Sequence, residues 1–348
     1  MAERINIKAD VLKSVAQDIF RKAGFSAKHA TQTAEALVWA DMRGHPAHGV
    51  IRIPLYMDWI ASGLINVKAK PKAVLKKGAV VKIDADSAVG PAAMIMAADA
   101  AVAQAKEHAA AWVLVQNHTH AGAMGHYAQR IAENGMIAMV MSALRPLMAY
   151  HGTKGPAVST NPIAIAMPGG IMLDMSTAAM PRSKLRVAKL VGKPLPAGVA
   201  LDKDGRPTTD PLFAETVMPL GGAKGAGLSL MIEAMTSAML GNPLLSSALN
   251  DPSLMKDMRQ NSMIVAMDAS VLGNVEQYKT ELAMLALSIK GQPRAEGFDE
   301  ILLPGERGAR AFARRSREGI PVPARTWQQI GEVAAKLGIG LPQQKNAA

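Results

Sequence analysis

"AWVLVQNHTHAGAMGHYAQRIAENGMIAMVMSA", residues 111–143, carries the alternation on which the fold turns. Its first part, "AWVLVQ" (111–116), reads as a strand, and residues 123–134 show helical spacing. After Gly135 comes "MIAMVMSA" (136–143), an apolar run with the character of a strand covered on both faces. Working outward, "AVVKID" (79–84), "IAIAMP" (163–168), "IMLDMS" (171–176) and "MIVAMD" (263–268) read as further strands. Helical patterns over 91–108 and 224–240 lie between them. Strands alternating with helices predict an α/β body of three layers. No internal repeat interrupts it.

The flanks have a different period. Asp10 is placed to cap a helix through Val11, Val15, Ile19 and Phe20, with Gly24 as its terminator. Ser26 caps a second helix through Ala34, Leu37 and Val38 that ends near Gly44, and Pro46 suits the first turn of a third. At the other end, Thr326 and Gln329 form a capping box for a helix over 327–337, stopped by Gly338. The expected division is a mainly helical domain of residues 1–70, completed by 300–348, and an α/β domain of residues 71–299. One long loop-like stretch, "VGKPLPAGVALDKDGRPTTDP" (191–211), is expected to cover a site or an interface.

Composition narrows the function. The 348 residues include no cysteine, which removes a thiolate nucleophile, Cys-ligated zinc and a disulfide framework together. Aromatics are only 4% of the chain, so Ala, Val, Ile, Leu and 23 Met must build the core, and base-stacking surfaces are disfavoured. The net charge of +11 points to an anionic partner. Its basic stretches, "RSKLRVAKLVGK" (182–193) and "RGARAFARRSREG" (307–319), come without a nucleic-acid-binding signature, so a small anionic substrate is favoured over nucleic acid. "MAERINIKAD" lacks the apolar core of a signal peptide, and "GMIAMVMSAL" (135–144) is too short to span a bilayer. A cytoplasmic protein with no membrane partner is expected.

Five stretches carry the candidate chemistry. "DMRGHPAHGVIRIP" (41–54) sets His48 and Arg52 at i and i+4, on one face if the turn is helical. A metal site, a general acid beside an anion clamp, and histidines capping a turn all fit that spacing. "NHTHAGAMGHYAQRIAENG" (117–135) puts His118, His120 and His126 after a strand, where α/β sheets build sites. A metal there would draw on His45, His48, His118 and His120, but within 117–135 no carboxylate stands before Glu133. "PLGGAKGAGLSLMIEA" (219–234) has four glycines and Lys224 opening an apolar helix, which suits either a phosphate or close helix–sheet packing. It lacks P-loop spacing, and Gly-x-Gly-x-x-Gly is absent from the chain, which disfavours an ordinary Rossmann site. Ser159, Thr160 and Asn161 can bind a ribose or an amide, Asp174 reads equally as a turn residue, and Glu233 as packing or ion-pair material.

From about residue 5 to 340 the chain resembles the type-2 malate/L-lactate dehydrogenase family. The resemblance rests on "HGVIRIPLY" (48–56), "NHTHAGAMGHYA" (117–128), "GPAVSTNPIAIAMP" (155–168), "DMSTA" (174–178), "LPAGVALDKDGRPTTDP" (195–211), "LGGAKGAGLSLMIE" (220–233) and "LPGE" (303–306) in that order. It implies NAD or NADP held by a non-Rossmann three-layer domain, a homodimer, and no metal. By position it implies that His48 is the proton donor and Arg52 the substrate-carboxylate clamp. His120 matches a second active-site histidine, the acid/base of the ureidoglycolate branch. Ser159, Thr160, Asn161, Asp174, Met175, Ser176, Gly222, Lys224, Pro304, Gly305 and Glu306 match cofactor-contacting stretches.

Three positions depart from the family pattern. Ala47 stands where a serine usually precedes the histidine, and Ala226 stands where an aromatic often follows the glycine. Lys184 occupies the place of the aspartate of the imino-acid reductases, which weighs against imine reduction. The expected activity is therefore NAD(P)-dependent interconversion of a small 2-oxo acid and its 2-hydroxy acid. Reduction of cyclic or N-alkyl imino acids, and a catalytically silent ligand-binding relative, are the alternatives.

Overall fold

The computed structural model describes residues 3–342, so the last part of the expected 300–348 segment, residues 343–348, lies outside the described residues. Its largest element is a seven-stranded sheet in the order β2-β3-β4-β12-β5-β8-β9. These strands are β2 (Lys72–Lys77), β3 (Val80–Asp84), β4 (Ala110–His118), β5 (Met136–Ala143), β8 (Ile163–Ala166), β9 (Met172–Met175) and β12 (Gln260–Asp268). Alternate residues serve two different cores, as a strand's two-residue period requires. Val113, Val115, Ala138, Val140, Ile264 and Ala266 face one side. Leu114, Met141, Ile163 and Met263 face the other.

Helices α4 (Gly90–His108) and α5 (Met124–Ala132) cover the first face. On α4, Ala93, Ala97, Ala101 and Ala105 are fully buried at four-residue spacing, so a stripe of methyl groups lets the helix lie close to the sheet. Helix α7 (Ala223–Glu233) and the π-turn Ala234–Ala238 that follows it cover the second face through Ile232, Met235 and Leu240. The body therefore has three layers, as expected. The helix expected over 224–240 runs on from α7 as a wider π turn over Ala234–Ala238, where Thr236 Oγ1 donates to the Ile232 carbonyl at 2.6 Å.

Strand direction is what alternation leaves open. Only β3 and β4 pair in parallel; every other pairing in this sheet is antiparallel. The crossover β4-α5-β5 leaves a gap one strand wide, and β12 enters it antiparallel to both neighbours.

A second core joins the two ends of the chain. Strand β1 (Arg4–Ile7) pairs antiparallel with β13 (Ile320–Pro323). Around them pack α1 (Ala9–Lys22), α2 (Ala27–Met42), α3 (Ile53–Ala61) and α11 (Ala324–Lys336), with Phe20, Leu37, Tyr56, Val322 and Ile330 buried together. Two expected helix starts are corrected here. α1 begins at Ala9, so Asp10 sits inside its first turn, accepting from the Val11 amide, and does not cap it. α11 begins directly after Pro323, which places Thr326 inside the helix and buried rather than at a capping box. Ser26 does cap α2, accepting from the His29 amide at 3.2 Å.

A small sheet, β10-β11-β6-β7, completes the body. Its strands are β6 (Met148–Ala149), β7 (Pro156–Val158), β10 (Ala200–Leu201) and β11 (Thr216–Val217), so part of the long stretch 191–211 is paired rather than loop. Helix α6 (Arg182–Val191) packs on it through Leu185 and Ala188. The remaining helices are α8 (Leu244–Asn250), α9 (Val275–Lys290), with no buried residue, and α10 (Glu306–Glu318).

Candidate active site

The segment before α3 is not the continuous helix that its spacing suggested. Pro46 opens a single 3-10 turn ending at His48, Gly49 is extended (φ −91°, ψ −156°), and a second 3-10 turn runs from Val50 to Arg52. His48 and Arg52 therefore do not meet as i and i+4 of one helix. The cause is Asp41 on α2. Its Oδ2 accepts from the Val50 amide at 2.8 Å, and a side chain at residue 49 would overlap its carboxylate. Arg315 of α10 donates to the Asp41 carbonyl. Arg52 comes to His48 by another route: its Nε donates to the Ala47 carbonyl at 2.7 Å.

His120 arrives from the carboxyl end of β4. Asn117 takes a left-handed conformation (φ 61°), which asparagine tolerates better than most residues, at a break in register with β12 just before the strand ends at His118. The 119–121 backbone then rests on Gly90 at the start of α4, where a Cβ would collide with the His120 carbonyl. The result is a hydrogen-bonded chain of three rings. His48 Nδ1 lies 3.2 Å from His120 Nε2 with the ring planes 7° apart. The Tyr56 hydroxyl lies 2.8 Å from His120 Nδ1 and 3.1 Å from the His120 carbonyl. Tyr56, fully buried on α3, stands inside "HGVIRIPLY", where its residue type alone does not mark it for the site. Its only sequence signal is the phenol one turn beyond Arg52.

This chain has two proton arrangements. If Tyr56 donates to His120 Nδ1, His120 Nε2–H donates to His48 Nδ1, and His48 Nε2 carries the remaining proton outward. If Tyr56 donates to the His120 carbonyl, His120 Nδ1–H donates to the phenol oxygen. His48 Nδ1–H then donates to His120 Nε2, and His48 Nε2 is a bare acceptor. The same ring is thus an acid in one arrangement and a base in the other.

The electrostatics keep the three rings neutral beside the charged Arg52. Burial, then the Arg52 and His45 charges, push His48 down to about 3. Burial, then Arg52, His48 and His118, hold His120 well below its ordinary value. Burial pushes the Tyr56 phenol above its ordinary range, so a tyrosinate is disfavoured. An anion placed on Arg52 removes the like-charge push and favours proton uptake by the histidine pair.

The other histidines do not converge with this pair. His118 is fully buried, with Nε2 2.8 Å from Ser262 Oγ and Nδ1 2.7 Å from the Thr119 carbonyl. His126 lies between Trp39 and Tyr127. Among the described residues no three His, Asp or Glu side chains are grouped to hold a metal ion.

The expected cofactor residues fall into two places. In the first, Thr177 links the strand ends: its amide donates to the Thr160 carbonyl, and its carbonyl accepts from Leu220 at the start of the glycine turn. Asn161 Nδ2 donates to the Ser229 carbonyl at 2.9 Å, and Ser229 Oγ to the Ser159 carbonyl at 2.8 Å. Ser159, Thr160, Asn161, Ser176, Gly222 and Lys224 thereby gather along the first two turns of α7 and the glycine turn before it. Ser159 Oγ, Asn161 Oδ1 and Thr177 Oγ1 are buried there without a partner among the described residues, and such groups call for a polar ligand. The amides of Gly222, Lys224, Gly225 and Ala226 are already bonded within the turn, so an anion here meets the helix dipole and exposed Lys224 rather than a nest of free N–H groups. Gly225 answers to packing, since a Cβ there would collide with the Leu220 carbonyl.

The second place lies along β9. Met175 points into the α7-side core. Asp174 Oδ2 accepts from the Gly125 amide at 3.0 Å, at the start of α5, with Arg43 and His45 in electrostatic reach. Pro304 accepts from the Met172 amide, and the Gly305 carbonyl accepts from Arg43. Glu306 opens α10 and is ion-paired to Lys290 at 2.6 Å.

Residues 7–331 match the family model for malate/L-lactate dehydrogenase. The chain belongs to the malate/L-lactate dehydrogenase family. L-sulfolactate dehydrogenase of Methanocaldococcus jannaschii is 33% identical over 340 residues, covering 96% of this chain and 98% of that protein. Malate/(S)-sulfolactate dehydrogenase of Methanothermus fervidus is 31% identical over 341 residues, covering 94% and 97%. The solved structure of the M. jannaschii sulfolactate dehydrogenase superposes with a TM-score of 0.88 at 31% identity, covering 97% of this chain and 98% of that one. Membership makes the chain an oxidoreductase of small hydroxy or oxo acids that works with a nicotinamide cofactor. No described helix is long and apolar enough to cross a membrane.

Proposed function

We propose that the chain interconverts a small 2-oxo acid and its 2-hydroxy acid with NAD or NADP. The nicotinamide, when bound, supplies the hydride for C2 in the direction of reduction. Arg52 grips the substrate carboxylate: its Nε is used by Ala47, and its terminal nitrogens have no hydrogen-bond acceptor among the described residues. With that negative charge in place, His48 and His120 share an added proton. His48 Nε2–H delivers it to the carbonyl oxygen, so the C=O double bond becomes C–H and O–H. His48 is left with Nδ1–H donating to His120 Nε2, while Tyr56 donates to the His120 carbonyl. Ser159, Thr160, Asn161, Ser176, Gly222 and Lys224 hold the cofactor, the unpartnered oxygens of Ser159 and Asn161 supporting the fit. Asp174, Met175 and Pro304–Glu306 shape the β9 side of the same site.

In this reading, the described residues of the 1–70 and 300–348 segments form one helical unit bearing His48 and Arg52. Residues 71–299 form the unit bearing His120 and the cofactor stretches. The chain works as a homodimer, a reading supported by α9, where Met284, Leu285, Leu287 and Ile289 are exposed.

The observation that carries the proposal is the Tyr56–His120–His48 chain ending beside an arginine with a free fork. A panel of 2-oxo acids and cyclic imines, followed by consumption of NADH and NADPH, tests it. Turnover of a 2-oxo acid faster than of any imine is expected. Faster imine reduction, or no turnover at all, contradicts it.

A further inference from the structure

Strands β4 and β12 lose step just before the chain reaches His120. Val115 pairs with Ser262 and His118 with Gln260, so Gln116 and Asn117 together stand opposite one residue, Asn261. Two residues against one make a β-bulge on β4, with Asn117 at φ 61°. A slip of one residue moves every later side chain to the other face of the sheet. His118 shows the effect: its Nε2 lies 2.8 Å from Ser262 Oγ, so Val115 and His118, three residues apart, share the face of Ser262. The bulge therefore sets the direction in which the chain runs on to His120.

A triangle of asparagines holds this bulge. Asn261, fully buried, accepts the Asn117 amide on Oδ1 at 3.2 Å, where the backbone ladder is interrupted. Its Nδ2 donates to the Asn242 carbonyl at 2.8 Å, so two backbone groups fix which way the Asn261 amide points. Asn242 Nδ2 donates in turn to Asn261 Oδ1 at 3.1 Å and to Asn117 Oδ1 at 2.8 Å. Asn242 reaches the triangle from the α7 side of the sheet. Its amide donates to the Ser237 carbonyl at 3.0 Å, at the end of the π turn that continues α7. Earlier on α7, Ser229 is bonded to Ser159 and Asn161. The triangle is thus the joint between the helix of the cofactor stretches and the strand that carries His120.

We propose that Asn242 and Asn261 are positioning residues for His120. They clamp the β4 bulge at Asn117, and the clamp keeps His120 Nε2 within hydrogen-bond distance of His48. This rests on the acid–base reading of the histidine pair given above.

The test is a double-mutant cycle between Asn242→Ala and His120→Asn on the full chain, with kcat on the best 2-oxo acid expressed per nucleotide-binding site. Asn242→Ala alone is expected to cut kcat roughly ten- to hundredfold, the cost of misplacing a reacting group by about an ångström. Nucleotide Kd should stay unchanged. In the His120→Asn background the same substitution should cost little more, because the group it positions is gone. Asn242→Asp repeats the cycle at native volume, with an acceptor in place of the donor, if the alanine variant folds poorly. Asn117→Gly should keep more of kcat than Asn117→Ala, since glycine takes the left-handed backbone freely. The proposal is overturned if both Asn242 variants leave kcat per site unchanged, if the loss falls on nucleotide Kd, or if the Asn242 and His120 losses add in full. Full additivity would give the triangle a role in general stability alone and leave the acid–base reading standing. Failure of that reading looks different: His120→Asn then keeps the wild-type rate whatever stands at 242, and the proposal falls with it.

Discussion

Tyr56 has one hydroxyl proton and two acceptors within reach, both on His120, and its choice between them sets which nitrogen of His48 faces outward as donor. Tyr56→Phe removes that choice and leaves a buried ring nitrogen without its partner. We expect kcat to fall about tenfold or more with little change in nucleotide affinity, and stability to fall by about 1–3 kcal/mol. An unchanged kcat would reduce Tyr56 to packing. Asp41 offers a second test at this scale. Burial pushes its carboxyl up to about 7 from an ordinary 3.8, against the opposing pull of the Val50 amide. As pH rises, the unfolded chain loses this proton before the folded chain does. Asp41's contribution to stability is therefore full below about pH 4 and is lost as pH climbs through 7. Unfolding free energies of wild type and Asp41→Asn, measured from pH 4.5 to 7, should show the difference falling by a few kcal/mol across that range. A difference flat in pH would mean that Asp41 ionises normally. Tyr56 illustrates what residue-type reasoning overlooks: an apolar-flanked tyrosine in a helix reads as core, and only the neighbouring His120, 64 residues away, gives its hydroxyl a task.

Among the elements, those decided by their own residues were legible and those decided by distant contacts were not. "MIAMVMSA" occupies β5 residue for residue, because an apolar run buried on both sides depends on nothing beyond itself. The pair β1 and β13 went unread: "RINI" and "IPVP" are four residues each, and Pro321 and Pro323 argue against a strand except in a narrow ribbon of this kind. The break at Gly49 is the consequential miss, since its cause is the Asp41 carboxylate from α2. That contact also makes a test. Gly49 has an extended backbone that alanine can adopt, so Gly49→Ala acts only through overlap with Asp41. The segment bearing His48 must move, and we expect a loss of about 1–3 kcal/mol in a denaturant titration, accompanied by a fall in kcat. Native stability and rate in this variant would show that the segment is not held as described.

At the scale of the molecule, three layers followed from alternation, but strand order did not: β12 comes from more than a hundred residues beyond β5 and slides between β4 and β5. The site is assembled in the same long-range way. His48 and Arg52 belong to the core that joins the two chain ends, and His120 belongs to the end of β4 in the large sheet. Sequence could name these three from a family likeness, whereas their hydrogen-bonded order appears only when the two cores meet. That order is the central claim, and the rate of proton transfer tests it most directly. His48→Asn and His120→Asn should be compared in kcat on the best 2-oxo acid, with nucleotide affinity measured alongside. The account predicts a fall of about two to four orders of magnitude for His48→Asn, the usual worth of general acid catalysis, and a smaller fall for His120→Asn. Nucleotide affinity should be preserved in both. A wild-type rate in His48→Asn, or a larger loss in His120→Asn, would contradict it.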